Sequence, residues 1–179
     1  DEVSENDAAE RLAKALAGPM LRAGNPGTGR CNLYADRAGL LIVDADAVHR
    51  FNSVDEAITL ATLSPFEMVA DRQIAATVKI IPFAVPVGAA ERCLEIARVP
   101  MLRVAPFRPL RVALVQTRLP GLKPELFKKT VDVTRARLAA IGSLLVKHSI
   151  HEHDVPGVAA GIWKPAVFGG MPYDVVLVL

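Results

Sequence analysis

Apolar positions along the chain change their period several times, and each change marks an element. In SENDAAERLAKALA, Leu12 and Leu16 fall one helical turn apart in an otherwise polar stretch. The pattern predicts a helix from Ser4 or Asn6 to Ala17. Either side-chain oxygen can accept from free amides of the first turn, and Gly18-Pro19 ends the helix. AGNPGTGR, residues 23–30, is a loop by composition. From 31 to 85 short β patterns take over. NLYAD, RAG and LLIVD predict a hairpin or tight strand pair around Asp36–Gly39. DADAVHRFN, 44–52, predicts a short helix capped by Asp44 or Asp46. AITLATL (57–63) and IAATVKIIPFAV (74–85) predict strands, with Pro82 bending the end of the second. VGAAERCLEIARV, 87–99, is an amphipathic helix framed by Pro86 and Pro100. MLRVAPFRP, 101–109, carries two prolines and predicts a linker.

After that linker the chain alternates cleanly. RVALVQT (111–117) predicts a strand and KPELFKKTVDVTRARLAAIG (123–142) a helix that Gly142 stops. LLVKHSI (144–150) is a second strand. DVPGVAAGIWKPAVF (154–168) is partly helical, with Asp154 as its cap, and YDVVLVL (173–179) is a third strand. The unbroken apolar run of the last strand predicts a central position covered on both faces. A β-α-β-α-β order predicts a parallel sheet with right-handed crossovers. The expected organisation is a helix plus a β-rich α+β module over 1–109, then a parallel α/β domain over 110–179. Open parallel sheets bind ligands beyond the carboxyl ends of their strands, which is where the loop after RVALVQT lies.

Composition narrows the classes. With 51% hydrophobic residues the chain can fill a sizeable core. Net charge is +2 with scattered Lys and Arg, and aromatic residues make up 5%, so neither a basic patch nor a stacking platform for nucleic acid is expected. Cys31 and Cys93 form no CxxC, which argues against a disulfide scaffold or zinc knuckle and for a reducing, cytoplasmic setting. The start, DEVSENDAAERL, lacks the charged head and apolar run of a signal peptide. No window reaches the roughly 20 apolar residues of a membrane span, so no membrane partner is expected.

Three blocks together, TGRCNLYA (28–35), ATVKIIPFAVP (76–86) and TRLPGLK (117–123), carry a resemblance. With the segments around them they make the chain similar to bacterial molybdopterin-binding proteins, distant relatives of the MogA/MoeA molybdenum-cofactor biosynthesis group. The resemblance implies a three-layer α/β/α domain that binds molybdopterin or its nucleotide, preceded by a β-rich module. It also implies a glycine- and serine-rich binding loop after DVVLVL, beyond the last residue of this sequence. Inherited activities are molybdopterin adenylylation or molybdenum insertion. Both want acids for Mg²⁺, for which Asp154 and Asp132 are at hand.

A site for such a ligand needs amides, hydroxyls and a cation. Thr117, Lys123 and Thr130 frame the first loop, and a helix starting at Lys123-Pro124 presents free N–H groups to a phosphate. Thr28, Gly29, Arg30 and Asn32 form a second, glycine-rich candidate in which Arg30 can fork onto an anion. It is not a P-loop, since no GK[ST] follows. In the β-rich part Lys79 interrupts ATVKII, either turned to solvent or paired with Asp55 or Glu56; Asn52 and Thr77 are further polar residues of the same part. HSIHEHD (148–154) places His151 and His153 on one strand face but supplies no clear third metal ligand. Asp154 follows that strand as a helix cap and, by the resemblance, as a site residue. Neither cysteine has an adjacent histidine, no nucleophilic triad stands out, and Trp163 is expected to pack. The expected function is therefore molybdopterin binding. The alternative is a non-catalytic interaction or oligomerisation module serving molybdoenzyme maturation, and a nucleotide-binding enzyme of another pathway is a third reading. Expected partners are the pterin, a molybdoenzyme or another cofactor-synthesis protein, and further copies of the chain.

Overall fold

A computed structural model of the chain describes residues 1–163 and 173–179. The fold is mixed α/β and divides into two compact units, Asp1–Phe107 and Arg108–Leu179.

The first unit opens with strand β1 (Glu2–Ser4) and helix α1 (Glu5–Leu16). The Ser4 side chain accepts from the Asp7 amide, so the cap is Ser4 rather than Asn6. Ala8, Ala9, Leu12, Ala13 and Leu16 turn inward. Next come β2 (Leu21–Ala23), β3 (Arg30–Ala35), β4 (Gly39–Val43), α2 (Ala45–Asn52) and β5 (Ile58–Thr62). Then follow β6 (Met68–Val69), β7 (Ile74–Ile80), β8 (Ala84–Pro86), α3 (Val87–Ala97) and β9 (Leu102–Pro106). Asp44 caps α2 through the Ala47 amide. An antiparallel sheet of order β2-β3-β7-β5 and a second of order β6-β4-β9 enclose one core with α1, while β1 pairs with β8.

Two expectations are corrected here. The segments around Asp36–Gly39 form no hairpin: β3 pairs with β2 and β7, whereas β4 pairs with β6 and β9. Leu33 and Ala35 therefore reach the core from one sheet and Leu41 from the other, which a flat hairpin would not allow. The segment 101–109 is not a linker either. Met101, Leu102 and Val104 are buried, and β9 pairs with β4 along its length. Pro106 is tolerated because it is the last residue of an edge strand.

The second unit holds β10 (Arg111–Arg118), α4 (Pro124–Ala140), β11 (Leu144–Glu152), α5 (Val155–Trp163) and β12 (Val175–Val178). Its sheet is parallel, in the order β11-β10-β12. Strand β10 is central, with Val112 through Thr117 all buried. The final apolar strand, read as central, is instead an edge among the described residues: Val175–Leu177 are half-buried and Val178 is exposed. Its run of apolar residues reflects partial cover, not a position between two neighbours. Gly142 takes a positive φ of 72° just past α4, the left-handed stop a glycine provides. Residues 164–168, read as a continuation of α5, lie outside the described residues, as does the Trp163 side chain. Among the described residues no helix is long and apolar enough to cross a membrane.

Candidate functional site

The carboxyl ends of β10 and β11 bring one expected site residue to an unexpected partner. Thr117 Oγ1 lies 2.8 Å from His153 Nδ1 and 3.3 Å from the Leu179 carbonyl oxygen. The hydroxyl has one proton. If it goes to Leu179, Nδ1 of His153 must carry its own; if it goes to His153, Nδ1 is the bare nitrogen. The Thr117 amide is already used, donating to Leu179 O at 2.8 Å. One residue back the side chain points to the other sheet face. There Gln116, 4% exposed, holds its Oε1 2.7 Å from His148 Nε2. A carbonyl oxygen only accepts, so that nitrogen is the N–H.

Asp154 starts α5: its Oδ1 accepts from the Gly157 amide at 2.6 Å, an N-cap bond that leaves the other carboxylate oxygen outside the capping contact. Beside it lies an open cavity of about 440 Å³ lined by His153, Asp154, Val155, Val158, Ala159 and Ile162. The wall is apolar with two polar groups at one end, the usual make-up of a small-molecule site. Helix α5 reaches the sheet because Gly161 has no side chain. A Cβ there would stand 2.6 Å from Val115 Cγ1 and 3.0 Å from His151 Cδ2.

The other expected residues of this unit lie less favourably. Lys123 precedes α4 as an exposed N-cap residue that makes no side-chain cap bond. The expected set of free amides is reduced to little: Pro124 has no N–H, and Leu126 N donates to Lys123 O. Of those first three positions only Glu125 keeps an uncommitted amide, and its own carboxylate opposes an anion. Thr130 sits well inside α4, on a separate groove of about 350 Å³ with Leu126, Val133, Arg137 and Leu179. Asp132, read as an acid for Mg²⁺, is engaged by Lys128 at 2.8 Å and Arg135 at 3.3 Å on the exposed face of α4. The Lys128 hydrogen bond and charge hold its carboxyl below the ordinary range.

Thr28, Arg30 and Asn32 belong to the first unit. The glycine-rich loop is a tight turn. Thr28 and Gly29 both take positive φ, 47° and 68°, and Gly27 and Arg30 exchange two backbone hydrogen bonds. The Gly29 amide donates to Asn6 Oδ1 at 3.1 Å. The Gly27, Gly29 and Arg30 amides are thus spent on the fold rather than held open for a phosphate. Asn32 is also engaged, accepting from Thr77 Oγ1 at 2.9 Å and donating to Tyr34 Oη at 3.3 Å. Arg30 stays exposed. Lys79 is exposed as well and pairs with neither Asp55 nor Glu56; Asp55 Oδ1 instead accepts from the Ala57 amide. Asn52 supports the fold: its side-chain amide donates to Leu60 O at 2.9 Å and accepts from Leu60 N at 2.7 Å. It stands where a neighbouring strand would stand on the open edge of β5.

His153, Gln116, His148 and Asn6 are the contributors that sequence reading did not assign to Thr117, to each other or to Gly29. Aligning RVALVQT beside LLVKHSI in parallel register would have put the HSIHEHD histidines at the same end as Thr117. No group of three or more His, Cys, Asp or Glu residues able to hold a metal occurs among the described residues. No family model, curated protein or solved structure matches the chain.

Proposed function

We propose that the chain binds molybdopterin or a molybdopterin nucleotide at the carboxyl ends of β10 and β11. One observation carries this reading: Thr117 and His153 meet at those strand ends, and His153 opens onto the apolar cavity along α5. The resemblance of TGRCNLYA, ATVKIIPFAVP and TRLPGLK to molybdopterin-binding proteins supports the choice of ligand. A three-layer α/β/α arrangement of the second domain belongs to the same proposal. In it, the flat pterin lies against Val155, Val158 and Ile162. The free oxygen of Asp154 accepts from ring N–H and amino groups, while Thr117, His153 and Lys123 face the phosphate. Asp154 is the acidic side chain of this site that would hold a Mg²⁺ ion, which would supply positive charge to the phosphates. Adenylyl transfer or molybdenum insertion is the reaction class such a site would serve, in the cytoplasm, where Cys31 and Cys93 stay as free thiols.

Titration with molybdopterin, followed by pterin fluorescence, tests this. Micromolar binding that weakens about tenfold or more in His153→Ala and in Asp154→Asn supports it. A folded chain that does not bind, or binds equally well in both variants, overturns it. A specific observation favours the alternative, an interaction or oligomerisation module: Leu144 (64% exposed), Val146 (43%) and Leu126 (46%) leave apolar surface on the second unit. Sedimentation at rising concentration separates the readings, since that module would self-associate or capture a molybdoenzyme without binding pterin.

A further inference from the structure

On the first unit, the sheet of order β2-β3-β7-β5 buries one face with Cys31, Leu33, Val78, Ile80, Ile58 and Leu60. Its other face carries Arg30, Asn32 and Tyr34 from β3, Thr77 and Lys79 from β7, and Thr59 from β5. Arg30 and Lys79 are directly opposite each other. Ile80 N donates to Gly29 O in the adjacent position, so Arg30 and Lys79 form a non-hydrogen-bonded pair, in which facing side chains are closest. Like charges in that relation repel and cost stability. Both side chains are exposed, and neither forms an ion pair among the described residues. Arg22 on the same face differs: it is neutralised by Asp36 at 3.1 Å and stacks on Tyr34 at 5.0 Å.

We propose that Arg30 and Lys79 together form a binding site for the phosphate group of a small phosphate monoester. The chemistry selects the occupant. Two cations on directly opposite residues are neutralised by one dianion, whereas a carboxylate offsets only one of them. The Arg30 fork and the compact Lys79 ammonium can each take separate oxygens of a tetrahedral group. Thr59, opposite Lys79 on the far side, adds a hydroxyl donor. Single-stranded nucleic acid fits less well, because the one aromatic ring of this face, Tyr34, is covered by Arg22 and hydrogen-bonded to Asn32. The tight turn at Thr28-Gly29 fixes Arg30 at the start of its strand, and the Thr77–Asn32 bond fixes the row beside it.

The test uses the whole chain and two readouts. Ethyl phosphate and inorganic phosphate are titrated at constant ionic strength, following the amide resonances of Arg30, Lys79 and Thr59 together with the melting temperature. The expected result is saturable shifts at those residues and a rise in melting temperature. Both should be lost, or weakened at least tenfold, in Lys79→Gln and Arg30→Gln. Without phosphate, Lys79→Glu should melt above the wild type, since it turns a repulsive pair into an attractive one. Shifts that never saturate, or that persist unchanged in Lys79→Gln, overturn the proposal. So does a phosphoserine peptide that saturates the site while ethyl phosphate does not.

Discussion

The two units bury their sheets to different depths. In the first, β7 runs between β3 and β5, with Ala75, Ala76, Val78 and Ile80 inside a core that also takes side chains from α1, α3 and a second sheet. In the second, burial is concentrated on β10, while β11 alternates between exposed and half-buried along its whole length. Helix α4 contributes one buried residue, Val131. The contrast sorts positions by what they can tolerate. Residues of the first unit are constrained by packing on several sides, and residues of the second mostly by β10. It also explains why the Thr117–His153 pair has a cavity beside it: in the second unit the strand ends and the wall of α5 remain open, whereas the glycine-rich loop of the first unit spends its Gly27, Gly29 and Arg30 amides on the fold.

The contrast can be broken most directly at Phe51, which is fully buried. Phe51→Ala should cost about 3–5 kcal/mol by urea unfolding of the first unit. A loss no larger than that of a surface substitution would mean the first core is not densely packed around Phe51. Cys93 gives a pH-dependent version of the same test. Burial pushes its thiol up to about 11 from an ordinary value of 9.0. The folded state then keeps the proton in a range where the unfolded chain gives it up. Stability is fully present below pH 9 and falls as pH rises towards 11, by about 2–3 kcal/mol. Wild type and Cys93→Ala, unfolded in urea at stepped pH, should therefore converge across that window; parallel profiles would contradict burial of the thiol. In the second unit Gly161→Ala should cost about 1–3 kcal/mol, because the new Cβ meets Val115 and His151. Leu144→Gln on exposed β11 should stay within about 0.5 kcal/mol. If Leu144→Gln instead lowers stability like a core change, that surface is covered by a partner, and the interaction-module reading gains.

Much of the second unit was legible in the sequence because its signals are local: RVALVQT, KPELFKKTVDVTRARLAAIG and LLVKHSI each announce their type, and Gly142 marks a helix end. What the sequence withheld was order across the sheet. An apolar run such as VVLV looks the same in a central strand and in a half-covered edge. In the first unit the elements were legible but their partners were not. Asp36–Gly39 has the residues of a hairpin turn, yet β3 and β4 separate because Leu33 and Leu41 approach one core from two sheets. Pro106 and Pro109 suggested a linker, since their signal is identical at the end of an edge strand. The candidate site was half legible. Thr117 follows from strand-end logic, but its partner His153 is 36 residues away and depends on parallel register. The amides spoken for at Gly27, Gly29 and Leu126 could not be foreseen from residue types.

The central claim is that a pterin phosphate is held where β10 and β11 end. Amide and side-chain resonances recorded while molybdopterin is added test it residue by residue. The claim predicts saturable shifts concentrated at Thr117, His153, Asp154, Val155 and Val158, with the His153 ring moving together with the Thr117 amide. Shifts confined to the first unit, or none at saturating ligand, would contradict it.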